Sequence, residues 1–283
     1  MATFNNFATL SYNGGTTNSN TVTGEILDIL SSTKIAVMDD YTAKDDTTYV
    51  ITLLNSGTLP LGGITITDDL GAYLFNETTL YPLAYTQGSV RLYINGVLQT
   101  APAVAPGPPL VFSGISIPAG GNAILIYEAS VTAFAPLAAD DTITNTAVIT
   151  AQGLSSPITV TATITTEDRA DLTISKSVCP AVVSENDQLT YTFVIENHGN
   201  TPAIATDNVV LTDTFDPVLN PITVALNGVV WTQGTEYTYD TATGLFSSTA
   251  GAITVPAATY TQAQDGTWTV TPGTAVLTVS GTV

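Results

Sequence analysis

At 283 residues the chain has room for two domains of ordinary size, and a hydrophobic fraction of 44% is that of an ordered chain. Its 24 acidic residues against five Lys and Arg give a formal net charge of −19, which repels phosphate backbones and anionic lipid and argues against nucleic acid and membrane insertion. A single cysteine, Cys179, allows no intrachain disulfide; no apolar run is long enough to span a bilayer, and the first residues lack the basic start and apolar stretch of a secretory signal.

Short segments rich in Thr, Val, Ile and Tyr alternate between Gly, Pro, Asn and Asp punctuation, and no window sustains a helical period, so the fold class is all-β. Residues 1–30 begin with Asn5-Asn6-Phe7-Ala8-Thr9-Leu10, run to Asn13-Gly14 and resume at Thr21-Val22-Thr23-Gly24-Glu25-Ile26, which reads as a hairpin and a connector. The segment 31–165 reads as a first domain. It holds a lysine strand around Lys34, an alternating strand from Tyr49 to Asn55, and Ile64-Thr65-Ile66-Thr67-Asp68. A Pro-rich stretch from Ala101 to Pro109 reads as a rigid surface loop, followed by Ala123 to Val131 and a final hairpin from Thr144-Asn145-Thr146 through Gly153 to Ile164. A short polar linker opens the second domain, 166–283.

The second domain repeats the first. Lys34 and Lys176, Tyr49 and Tyr191, Asn55 and Asn197, and Gly57 and Gly199 share one offset of 142 residues. With small loop-length changes, Asp68 matches Asp213, Asn95-Gly96 matches Asn227-Gly228, and Ala123–Val131 matches Ala275–Val283. No segment of the second repeat matches the hairpin 144–164. The N-terminal hairpin does: Asn5 to Gly14 reads like 144–153, with Asn6 in the place of Asn145, and 21–26 reads like 159–164. The expectation is two tandem immunoglobulin-like β-sandwiches, the second completed by the N-terminal strand of another copy. Such a contact joins different surfaces of one molecule and propagates head to tail, so the expected partner is the chain itself.

Lysine is rare here: Lys34, Lys44 and Lys176 are the only three, and two occupy the same place in the repeats. Each has an aspartate at a matching position, Asp68 or Asp213, and an asparagine, Asn145 in the chain or Asn6 on the expected donor. Lys, Asn and a carboxyl group are the ingredients of a spontaneous isopeptide bond. Burial favours the neutral amine and the protonated carboxyl, the carboxyl polarises the asparagine carbonyl, the amine attacks, and ammonia leaves. The alternative is a pair of solvated surface lysines. Asp69, next to Asp68, points to the opposite face of a regular strand and would take its role if the register moved by one.

Ala170-Asp171-Leu172-Thr173-Ile174-Ser175-Lys176, Tyr191 to Gly199, Leu211-Thr212-Asp213-Thr214-Phe215 and Thr144-Asn145-Thr146-Ala147 together resemble the Ig-like "conserved repeat" domain of unknown function, found in tandem in Gram-positive surface proteins. The resemblance covers both repeats and implies that the Lys, Asp and Asn positions form an isopeptide triad, as in the similar pilin domains. It implies no single activity.

The remaining signals carry less. His198 reads as a surface turn residue, Cys179 as an idle thiol, and the doublets Asp39-Asp40, Asp45-Asp46 and Asp140-Asp141 as solvated acidic loops without the ligand spacing of a calcium site. Trp231 and Trp268 lie in alternating segments where packing is commoner than sugar binding. Neither metal nor cofactor is expected. The reading is therefore a structural subunit of a crosslinked extracellular appendage on a cell or spore, with no activity beyond crosslinking itself. Its rival is a tandem adhesin or carbohydrate-binding stalk. A glycosidase would need a convergent carboxylate pair that the repeats do not offer.

Overall fold

A computed structural model describes residues 2–26 and 29–283, with side chains described for residues 4–24 and 29–283. Met1, Leu27 and Asp28, which belong to the expected hairpin and connector, lie outside the described residues. The fold is all-β, built as immunoglobulin-like β-sandwiches; the one helix among the described residues is a single turn at Ala205–Asp207. The chain forms two compact units, residues up to Pro136 with Thr142–Thr165, and Leu137–Asp141 with Thr166–Val283.

Period-two patterning decides each strand. In Asp46–Asn55, Thr47, Tyr49, Ile51, Leu53 and Asn55 point into the core while their neighbours face out. One sheet of the first unit runs in the order Val97–Leu98, Arg91–Ile94, Asn122–Val131, Asp46–Asn55, Leu30–Ala36. The facing sheet runs Ala103–Ala105, Leu110–Ile117, Leu61–Asp68, Thr142–Thr150, Ile158–Thr166, Asp40–Tyr41. The lysine strand thus lies at the edge of one sheet, and the aspartate and asparagine strands are neighbours in the other, with Ala147 opposite Asp68.

The second unit reproduces the five-strand order of the first sheet, Val229–Val230, Ile222–Leu226, Gly273–Thr282, Gln188–Asn197, Leu172–Cys179, while the short strand Leu83–Tyr85 that also pairs with Asn122–Val131 in the first unit has no counterpart among the described residues. Lys176 pairs with Phe193 as Lys34 pairs with Ile51, and Tyr191 pairs with Val279 as Tyr49 pairs with Tyr127. Tight turns repeat as well, with Asn95-Gly96 and Asn227-Gly228 all at positive φ, the geometry a two-residue hairpin loop demands. The facing sheet is where the units differ. The aspartate strand of the second unit, Thr212–Thr214, pairs with Leu245–Ser248 on one side and with no described strand on the other. Core apolar groups open accordingly: Leu172 is 36% exposed where its counterpart Leu30 is 3% exposed.

The N-terminal segment is one long interrupted hairpin, Ala2–Asn6 against Val22–Ile26 and Thr9–Tyr12 against Gly15–Asn18. Every residue from Phe4 to Thr23 is exposed, including Phe4, Phe7, Leu10 and Tyr12. Its register pairs Asn6 with Val22, two residues from the Asn6–Gly24 pairing that the sequence match to 159–164 implies; Gly24 instead lies under the Phe4 ring. A two-residue shift keeps every side chain on the same face.

A buried asparagine anchors the corresponding corner of each unit. Asn55 donates to the carbonyls of Leu59 and Pro118 and accepts from Gly57 N; Asn197 donates to those of Thr201 and Pro256 and accepts from Asp171 N and Gly199 N. Asn197→Ala would leave several of these backbone groups buried without partners, so it should lower unfolding free energy by about 2–4 kcal/mol. Urea denaturation of the variant checks this, and a loss within about 0.5 kcal/mol of zero would refute it.

Candidate crosslinking site

The alternation that buries Tyr49 and Ile51 turns Lys34, on the neighbouring strand, into the same interior. There its Nζ donates to Asp68 Oδ2 at 2.7 Å, with both side chains wholly inaccessible. Asp68 is held from three directions. Tyr127 donates its hydroxyl to the same Oδ2 at 2.6 Å, and Leu70 N donates to Oδ1 at 3.1 Å. Asn145 completes the cluster: its Nδ2 donates to the Tyr127 hydroxyl at 3.1 Å, while its Oδ1 is buried without a hydrogen-bond partner. Asp69 faces the other way and accepts from Gly71 N and Thr146 N, so Asp68 is the carboxyl that meets the lysine.

The surroundings are aromatic. Tyr49 stacks on Tyr127 at 5.5 Å, Phe112 packs against Tyr127 at 5.2 Å, and the Lys34 ammonium lies 5.0 Å from the centre of the Tyr49 ring. Burial in this apolar shell lowers the Lys34 pKa from its ordinary value, against the pull of Asp68. The same desolvation pushes the Tyr49 and Tyr127 hydroxyls up, so both stay protonated. Asn145 lies near enough to the Tyr49 hydroxyl to oppose that rise, yet no hydrogen bond of normal geometry joins them, and that hydroxyl too has no partner. An amine whose pKa is lowered by burial, a carboxyl bonded to it, and an asparagine with an orphaned carbonyl oxygen are the kinds of group an amide exchange requires.

In the second unit Lys176 donates to Asp213 Oδ2, again with its ammonium over aromatic rings, 4.5 Å from Tyr191 and 5.6 Å from Phe215. This pair is open: the side chains are 41% and 20% exposed, against zero for both in the first unit. Thr214 N satisfies Asp213 Oδ1, and the site holds no asparagine. Asn6 stands exposed on the free hairpin. At the place of Tyr127 this unit has Val279.

No protein-family model matches the chain, the conserved-repeat family included, and no curated protein matches it. Solved structures do. The chain is similar to BcpA, the major pilin subunit of Bacillus cereus, at 13% identity and a TM-score of 0.35, covering 96% of this chain and 73% of that one. It is similar to the full-length major pilin SpaD of Corynebacterium diphtheriae at 14% identity and 0.36, covering 85% and 60%. The collagen adhesin CNA of S. aureus follows at 13% and 0.33, covering 56% of each. The chain therefore spans less than two thirds of SpaD and CNA, and likeness at this level carries no argument about function.

Sequence reasoning missed the two tyrosines. Both lie on strands used to align the repeats, and the alternation that buries Leu125 and Ala129 buries Tyr127 as well. A tyrosine at an inward position calls for a hydroxyl partner, which was the available signal. The other weak signals stay apart from this cluster. His198 lies 3.6 Å from Glu196 in an exposed turn, Cys179 is exposed, and no group of three potential metal ligands gathers among the described residues.

If the first-unit cluster reacts, intact mass spectrometry of folded monomer should find the chain lighter by one ammonia than its sequence, and Lys34→Ala should restore the sequence mass. Folded wild type at full mass would rule the bond out.

Proposed function

We propose that the chain is a structural subunit of a self-assembling extracellular fibre. The N-terminal hairpin, within 1–30, enters the second domain, 166–283, of a neighbouring copy, and isopeptide bonds join Lys34 to Asn145 within domain 31–165 and Lys176 to Asn6 between copies. The observation that carries this reading is the half-built second site: a Lys–Asp pair at an open strand edge, without the asparagine strand that closes the equivalent pair in the first unit.

The first unit supplies the template. Its asparagine strand presents Ile143, Asn145, Ala147 and Ile149 to the core. The hairpin has Phe4, Asn6, Ala8 and Leu10 at the matching positions, apolar and asparagine in the same order and all on one face. Carrying over the pairing of Ala147 with Asp68 and Ile149 with Ile66 sets Ala8 opposite Asp213 and Leu10 opposite Leu211. Burying Phe4 and Leu10 would contribute about 1.5–3 kcal/mol each. Backbone bonds to an otherwise open edge add affinity, and the alternate side chains set the register. Donor and acceptor are separate surfaces, so each docked copy leaves one of each free and the assembly grows head to tail. The promoting carboxyls are Asp68 and Asp213, and the chemistry is self-crosslinking with no turnover.

Deleting residues 2–20 should abolish polymers by electron microscopy. Lys176→Ala removes the nucleophile and keeps the docking face, so its fibres should form and then dissolve to monomers on boiling in detergent, where wild type persists as a ladder. Fibres of normal length from the truncated chain would sink the docking scheme, and boiling-resistant Lys176→Ala fibres would sink the junction bond.

A further inference from the structure

The Tyr127 hydroxyl sits between the two groups that must exchange a proton. It receives a hydrogen bond from Asn145 Nδ2, the nitrogen that leaves as ammonia, and gives one to Asp68 Oδ2, the atom that also holds Lys34 Nζ. No hydrogen bond joins Asp68 directly to Asn145 among the described residues, so the carboxyl reaches the departing nitrogen through this one hydroxyl. Stacking on Tyr49 and contact with Phe112 fix the ring, and the side chain is fully buried, which keeps water from substituting for it.

We infer that Tyr127 is a catalytic residue of the first-unit crosslink, relaying a proton from Asp68 to Asn145 Nδ2 as that nitrogen leaves; this rests on the crosslink reading given above. From the ion pair, Lys34 first passes one proton to Asp68. The neutral amine attacks Asn145 Cγ and the new N–C bond forms. Asp68 hands its proton to the Tyr127 oxygen as Tyr127 hands its own to Nδ2, and Asp68 then takes the second proton from Nζ. The Cγ–Nδ2 bond breaks. The products are one secondary amide, one ammonia and a protonated Asp68, so hydrogen and charge balance and no electrons change hands.

Asp68 bonds to Lys34, Leu70 N and Tyr127, and the departing nitrogen bonds to Tyr127. The ring that links them is particular to this unit, because Val279 stands at the same place in the second. Removing one positioned proton carrier typically slows a reaction 10²–10⁴-fold.

The test starts from full-length chain recovered unfolded at its full sequence mass, dilutes it from urea and follows loss of ammonia by intact mass, with Lys176→Ala in the background so that only the first site reports. Tyr127→Phe, verified as folded by circular dichroism, should react about a hundredfold more slowly than the parent. Ring-fluorinated tyrosine at 127, close in size and more acidic, should raise the rate. A folded Tyr127→Phe within twofold of the parent would overturn the relay, and if that variant fails to fold, a rate unchanged by fluorination would overturn it instead. Failure of the parent itself to lose ammonia would strike the crosslink reading, a distinct result.

Discussion

An ammonium group inside a β-sandwich is the constraint around which the first unit is organised. Lys34 has no contact with water, and an unpaired charge in such a place costs several kcal/mol even after relaxation. Asp68 meets it at hydrogen-bonding distance, Tyr127 and Leu70 N hold Asp68, and the Tyr49 ring faces the ammonium. Replacing the whole arrangement with well-packed apolar residues would be neutral or stabilising. Beside it lies Asn145, whose carbonyl oxygen is buried and orphaned.

The second unit shows the same constraint relaxed. Lys176 keeps its aspartate and its aromatic floor, yet with the neighbouring strand position open it remains in contact with solvent. The uncovered edge of Thr212–Thr214, in a unit where Leu172 and Ile174 are also exposed, is an invitation to pair, and sheets left in that state recruit strands. The exposed apolar residues of the hairpin match that need. Charge works in the opposite direction: copies at −19 repel one another, though at physiological salt the repulsion is screened beyond about 8 Å. In the proposed assembly, docking that buries apolar surface at short range, followed by an amide bond, would give a polymer that such repulsion could not open.

The repeat, its offset and the Lys–Asp pairing were legible because they rest on chain-local patterns: alternation, an Asn-Gly turn, and residue types that sandwich interiors reject. Asp68 against Asp69 could not be separated from sequence, since a one-residue slip exchanges them; the Lys34–Asp68 hydrogen bond, with Asp69 held by Gly71 N and Thr146 N, decides it. The tyrosine relay was hidden for a different reason. Tyr127 reads as one more inward aromatic, and its meaning depends on three strands that meet only in the folded unit. The hairpin register was also beyond reach, because Gly24 and Val22 differ by a step that preserves facing.

The proposed assembly requires the N-terminal hairpin and the open edge of the second unit to fit one another. The most direct measurement adds a synthetic peptide of residues 2–26 to a chain lacking them and follows backbone amide exchange. Slowed exchange confined to 210–214 and 172–178 is expected, with the peptide becoming covalently attached through Asn6. Unchanged exchange across both stretches at saturating peptide, or protection centred elsewhere, would contradict it.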